Sequence, residues 1–185
     1  PSGSVVRTRG FNGTDGSSIA NPLLPLPAGD YTLTVVGAGD ATGSYRFRLL
    51  DLAAGIPVAL GVSISSNDVP ANQTTIYRFT AAAGDRFYFD YESASGLPSA
   101  YWRLVDPLNN IRFSRGFSAD AGTNTMPVAG DYTLLIEGYY ADAGLGRFNF
   151  TVRPEGNVPP TPFTSACPPS FPSVPTSRAT RVTSD

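Results

Sequence analysis

The chain has 185 residues, enough for one or two domains, and carries a net charge of −2 with 15% charged residues. That balance offers no basic surface for nucleic acid or an anionic membrane. With no His, Ser-His-Asp and Cys-His catalysis and most zinc or copper sites are excluded, and the single Cys167 excludes an intrachain disulfide.

Nineteen Gly and 17 Pro alongside 41% hydrophobic residues suit short strands joined by tight turns. All 13 basic residues are Arg, which reads as a base-composition habit of the source. Near Pro1 the sequence is polar and carries two Arg, so no signal peptide is visible, and no apolar run approaches the roughly 18 residues of a membrane span. If the protein is secreted, its signal lies outside this piece or has been removed.

Residues 1–52 read as the second half of a repeat whose complete copy follows. Ala28-Gly29-Asp30-Tyr31-Thr32-Leu33 returns as Ala129-Gly130-Asp131-Tyr132-Thr133-Leu134, displaced by 101 residues. Arg9-Gly10-Phe11 returns as Arg115-Gly116-Phe117, displaced by 106, so the connection in the first copy is five residues longer. Gly43-Ser44-Tyr45-Arg46-Phe47-Arg48-Leu49 matches Gly146-Arg147-Phe148-Asn149-Phe150-Thr151-Val152 in pattern. The strands that should precede this half copy are missing, and are expected either from a longer chain or from another subunit.

Residues 53–153 read as strands throughout. Thr75–Thr80 alternates, with Ile76, Arg78 and Thr80 on one face and Tyr77 and Phe79 on the other, and Arg86–Tyr91 alternates, with Phe87, Phe89 and Tyr91 facing inward. Tyr101–Val105 leads into the turn Asp106-Pro107-Leu108-Asn109-Asn110, where Pro presets φ and Asp can accept from the turn backbone. Ile111–Ser114, Tyr132–Ile136 and Arg147–Val152 alternate in turn. The expected fold class is all-β: an antiparallel β-sandwich, jelly-roll-like, in repeat modules with one complete copy and one half copy. Residues 154–185 form an extended Pro-rich tail, read as a linker or as an arm along a neighbouring subunit. In the arm reading, Phe163 and Phe171 are assembly anchors and Cys167 is available for an intermolecular bond.

The succession Val58-Ala59-Leu60-Gly61, Tyr77–Asp85, Leu104-Val105-Asp106-Pro107, Met126–Leu134 and Gly146–Phe150 resembles the bacterial pre-peptidase C-terminal (PPC) domain. The resemblance covers about 53–153, with half a copy in 1–52. It implies a β-sandwich appended to secreted peptidases or strung along surface proteins, extracellular or at the cell surface, without catalysis of its own. Some relatives bind collagen and calcium.

Candidate residues follow. Tyr31 and Tyr132 resemble tyrosine corners, in which the phenol returns a hydrogen bond to the upstream backbone. Asp30, Asp40, Asp131 and Asp142 lie in turns and loops where calcium ligation is possible, with Asp15 and Asp120 nearby in the pattern, although each loop brings a single carboxylate. Asp90 and Glu92 share one strand face, as a glycosidase pair does or as a solvated face does. Tyr101, Trp102, Tyr139 and Tyr140 could form a platform for a sugar or a peptide, Trp102 being equally readable as the plug of the core. The partners expected are other protein subunits or domains of the same chain, or a polysaccharide, with no nucleic acid, no membrane span and no cofactor other than calcium. The function expected is a non-catalytic structural module, or an accessory binding module working through exposed aromatics.

Overall fold

The computed structural model describes residues 3–10 and 19–158. Described strands begin at residue 56. They are β1 (Ile56–Pro57), β2 (Ile64–Pro70), β3 (Thr75–Ala81), β4 (Asp85–Ser95), β5 (Tyr101–Val105), β6 (Ile111–Gly116), β7 (Gly122–Thr125), β8 (Gly130–Glu137) and β9 (Leu145–Asn157). One sheet runs β1-β3-β8-β5-β6 and the other β2-β9-β4-β7. Every pairing is antiparallel except that of the two-residue β1 with β3. Two open sheets face each other over an aromatic core, so the expected all-β sandwich is the fold. Among the described residues no helix is long and apolar enough to cross a membrane.

Period-two alternation explains the core. β3 sends Tyr77 and Phe79 inward, β4 sends Phe87 and Phe89, β5 sends Trp102 and Leu104, and β9 sends Phe148, Phe150 and Val152. Their rings meet mostly edge to face: Phe89–Phe113 at 5.1 Å, Trp102–Phe117 at 5.1 Å and Tyr77–Phe150 at 5.1 Å between centroids. Such pairs are worth about 0.5–1.5 kcal/mol each beyond the area they bury.

The turns behave as their residues dictate. Asp106 accepts from the backbone amides of Leu108 and Asn110 at 2.9 and 2.8 Å, while Asn109 takes the left-handed φ of 63°. Asp85 accepts from the Ala82 amide at 2.7 Å and from Asn157 at 2.7 Å. Gly130 has φ +139°, and a Cβ there would meet Pro107 at 2.8 Å, so the turn into β8 requires glycine on two counts. β9 continues through Pro154 to Asn157, into the stretch expected as linker. The β4 pairing shifts register there, which accommodates a residue with no N–H to give.

The half copy differs. Residues 26–49 contain no strand, although they repeat the sequence of β8 and β9. Leu33 is 67% exposed where its counterpart Leu134 is fully buried. A strand needs a partner for its backbone groups, and the half copy has no sheet to join within the described residues. The local turn forms nonetheless: the Tyr31 hydroxyl donates to the Pro27 carbonyl at 2.8 Å, as the Tyr132 hydroxyl donates to the Val128 carbonyl at 2.8 Å.

Candidate functional site

The outward face of the five-stranded sheet is the most constructed surface. Alternation on β5 sends Arg103 and Val105 outward, and on β8 it sends Leu135 and Glu137 the same way, with Arg103 opposite Leu135 in register. The Arg103 Nε donates to both Glu137 carboxylate oxygens at 3.1 Å, and Nη2 lies 3.1 Å from Oε2. Both side chains are only 1% exposed. Charges removed from water in this way cost several kcal/mol each unless their remaining hydrogen-bonding capacity is met.

Residues 19–23 meet it. The carbonyls of Ala20 and Ile19 accept from Arg103 Nη1 and Nη2 at 2.5 and 3.0 Å. Leu23 is buried against Val105 and Leu135, with Leu52 and Ile76 at the rim. Asn21 Oδ1 accepts from the Leu23 amide at 2.9 Å, and Arg9 donates to the carbonyls of Pro22, Asn21 and Leu23 at 2.8, 3.1 and 3.2 Å. A strap bent at Ala20 thus lies on the sheet, its carbonyls directed at a guanidinium and its leucine in an apolar seat. Alternation predicts that Arg103 points outward. Its burial comes from chain more than 80 positions away, which no local pattern carries.

The residues singled out from sequence are dispersed. Trp102 takes no part in an exposed platform: it is fully buried among Phe89, Phe113 and Phe117, as the plug of the core. An alternating strand with Leu104 inward obliges Trp102 to point inward too. Tyr101 is half-buried at the start of β5, opposite Glu137, so Tyr139 and Tyr140 leave β8 at the same end of that sheet. The Tyr139 and Tyr140 rings lie 4.6 Å apart, Tyr140 exposed, and the hydrogen bond with Tyr139 raises the Tyr140 phenol above the usual tyrosine pKa.

Asp131 is engaged by Arg78 at 2.8 Å and by the Thr80 hydroxyl at 2.7 Å. Asp142 accepts from the Ser99 amide and hydroxyl at 3.2 and 3.3 Å. Asp30 and Asp40 are exposed on the half copy. No group of three or more His, Cys, Asp or Glu able to hold a metal ion occurs among the described residues. Asp15, Phe163, Cys167 and Phe171 lie outside the described residues.

The outward face of the second sheet is polar. Asp120 accepts from the Tyr88 hydroxyl at 2.6 Å and the Tyr91 amide at 2.8 Å, which together hold its carboxyl below the usual range. The Arg153 guanidinium sits 4.7 Å over the Tyr88 ring and 3.5 Å from Asp90. Glu92 accepts from Ser63 at 2.6 Å and from Thr151, and those two bonds lower its pKa. A general acid needs the opposite shift to that of Glu92, which sits hydrogen-bonded to Ser63 and Thr151 while Asp90 pairs with Arg153. Farther along the same sheet, Ser65, Asn67, Ser93, Ser95, Arg147 and Asn149 line a shallow trough of about 340 Å³.

No protein-family model matches the chain, and no curated protein matches it. Solved structures do. The periplasmic inhibitor of g-type lysozyme PliG from Aeromonas hydrophila is 13% identical, with 53% of this chain and 95% of that one covered and a TM-score of 0.41. PliG from Salmonella Typhimurium is 18% identical, covering 53% and 97%, with a TM-score of 0.37. The pre-peptidase C-terminal domain of a collagenase from Bacillus anthracis is 20% identical, covering 53% and 93%, with a TM-score of 0.38, and represents the family that the motifs of residues 53–153 resemble.

Proposed function

We propose that this chain is a non-catalytic extracellular module of a repeat array, in a surface or filament assembly or in a large secreted protein, and that it works by packing against other protein. The observation that carries this reading is the half copy. It repeats the sequence of β8 and β9, yet Leu33, Val36 and Leu49 are 67%, 80% and 73% exposed. Strand-patterned apolar chain of this kind favours burial against protein. The complement we assign to it is the N-terminal half of another such repeat, with strands equivalent to β3–β5.

Denaturing mass spectrometry of the native protein, with light scattering, tests the reading. A mass well above 19.5 kDa, or a large assembly of 19.5 kDa chains, supports it. A monomer of 19.5 kDa in native extracts overturns it. The second reading, an accessory module that binds a polysaccharide or protein through exposed aromatics, draws on the paired rings of Tyr139 and Tyr140. Retention on glycan arrays or polymer beads that is lost in Tyr140→Ala would favour it, whereas a pure spacer retains nothing.

A further inference from the structure

The strap of residues 19–23 belongs to the half copy, and the sheet it crosses belongs to the complete copy. We infer that the outward face of the five-stranded sheet is a docking surface for a bent loop of the preceding repeat, which couples successive modules at a fixed orientation. This inference rests on the repeat-array reading above and deepens it.

Three independent features point the same way. The first is length. The connection between Arg9-Gly10 and Ala28-Gly29-Asp30 is five residues longer than its counterpart between Arg115-Gly116 and Ala129-Gly130-Asp131. In the complete copy that shorter connection supplies β7, which pairs with β4. In the half copy the longer one supplies the strap, so the additional length lies where it is needed to reach a neighbour.

The second is the chemistry of the seat. A guanidinium offers five donors in a rigid fork. Glu137 occupies the Nε side, and the outer nitrogens go to the carbonyls of Ile19 and Ala20. Backbone carbonyls are common to any sequence, so Arg103 recognises a bend that turns two consecutive carbonyls to one side, whatever its side chains. The apolar seat of Val105 and Leu135 then asks for a leucine-sized side chain three residues after Ala20. The partner so defined is a bent segment with two consecutive carbonyls on one side, followed by a branched apolar residue.

The third is position dependence. At the places matching Leu135 and Glu137 the half copy has Thr34 and Val36. Glu137 is 1% exposed and Val36 is 80% exposed. The half copy therefore lacks the acid that orients the arginine, and the docking face is particular to the complete copy. Order along the array follows: this module accepts a strap, and the preceding copy gives one.

The test uses the full chain with Cys167→Ser, and spin labels attached through Ala20→Cys and Leu108→Cys. The Ala20 side chain is exposed while its carbonyl stays available, and Leu108 is exposed on the β5–β6 turn. Pulsed electron resonance should give one narrow distance, which persists when labelled chain is diluted with unlabelled chain. Leu23→Asp, on the strap side, should abolish the narrow component while circular dichroism of the β-module stays unchanged. The pair Arg103→Met with Glu137→Leu removes the carbonyl-binding fork and leaves a volume-matched apolar face, which proteins tolerate. It should abolish the narrow component as well, and if it fails to fold, Leu23→Asp decides alone. A broad distribution in the parent chain, a narrow component unaffected by Leu23→Asp, or one lost on dilution would overturn the proposal. These distances are intramolecular, so they stay readable even if the native protein proves to be a 19.5 kDa monomer and the array reading fails.

Discussion

The string Ala-Gly-Asp-Tyr-Thr-Leu occurs twice and has two fates. At residues 129–134 it enters β8, a central strand flanked by β3 and β5, and Tyr132 and Leu134 are buried. At residues 28–33 no strand forms, and Tyr31 is 48% exposed. The tyrosine-to-carbonyl bond four residues back survives in both. Local chemistry thus sets the turn, while partner strands decide whether the following residues become sheet. The same glycine is also held differently. A Cβ at Gly130 meets Pro107 at 2.8 Å, whereas one at Gly29 meets only the Tyr31 ring at 3.9 Å.

Substitutions in matched pairs sharpen the contrast. The largest effect is expected at the leucine. Leu134→Ala removes a fully buried side chain between two sheets and should cost about 2–5 kcal/mol in urea unfolding. Leu33→Ala should stay within about 0.5 kcal/mol, as surface changes do. Equal costs at the two sites would break the comparison, because they would mean that the half copy folds into a sheet of its own.

The tyrosines come next. Tyr132→Phe deletes a hydroxyl that bonds to Val128 and should cost about 1 kcal/mol. Tyr31→Phe deletes the same bond where water replaces it, and the urea midpoint should not move.

The smallest effect concerns acid. Asp120, Glu92 and Asp85 all belong to the complete copy, and hydrogen bonds hold each carboxyl below its ordinary pKa. A carboxylate with a depressed folded pKa contributes stability that is full above its unfolded value, about 4, and is lost as pH falls through the folded value. Asp120→Asn should therefore lower the unfolding midpoint slightly at neutral pH and weaken its decline below about pH 4, the two proteins converging in acid. An unchanged acid limb in Asp120→Asn would remove Tyr88 and the Tyr91 amide as its cause.

Much of the complete copy is legible from residue pattern. The alternating run of β4 places Phe87 and Phe89 inward, where they are found, and that of β3 puts Tyr77 and Phe79 on one face, which is the inward one. The role of Asp106 in its turn and of Tyr132 at its corner follow from residue type and spacing. β2 and β7 are harder to foresee. Ile-Ser-Ser-Asn-Asp-Val-Pro and Gly-Thr-Asn-Thr carry few apolar residues, and as edge strands they take their register from β9 and β4. Arg103 is the instructive failure. An outward Arg in a strand ordinarily meets water, and only the distant strap reverses that. Trp102 drops out of the aromatic platform because adjacent residues in a strand face opposite ways, so Tyr101 and Trp102 cannot share one surface.

The position of Trp102 has a spectroscopic consequence. It is the one tryptophan in the chain, fully buried and ringed by Phe89, Phe113 and Phe117. Its emission should be blue-shifted in the native state and move to the red when the two sheets separate. Tryptophan emission excited at the red edge, where tyrosine does not absorb, therefore watches the sandwich around Trp102, and far-UV signals that change without it report events elsewhere in the chain.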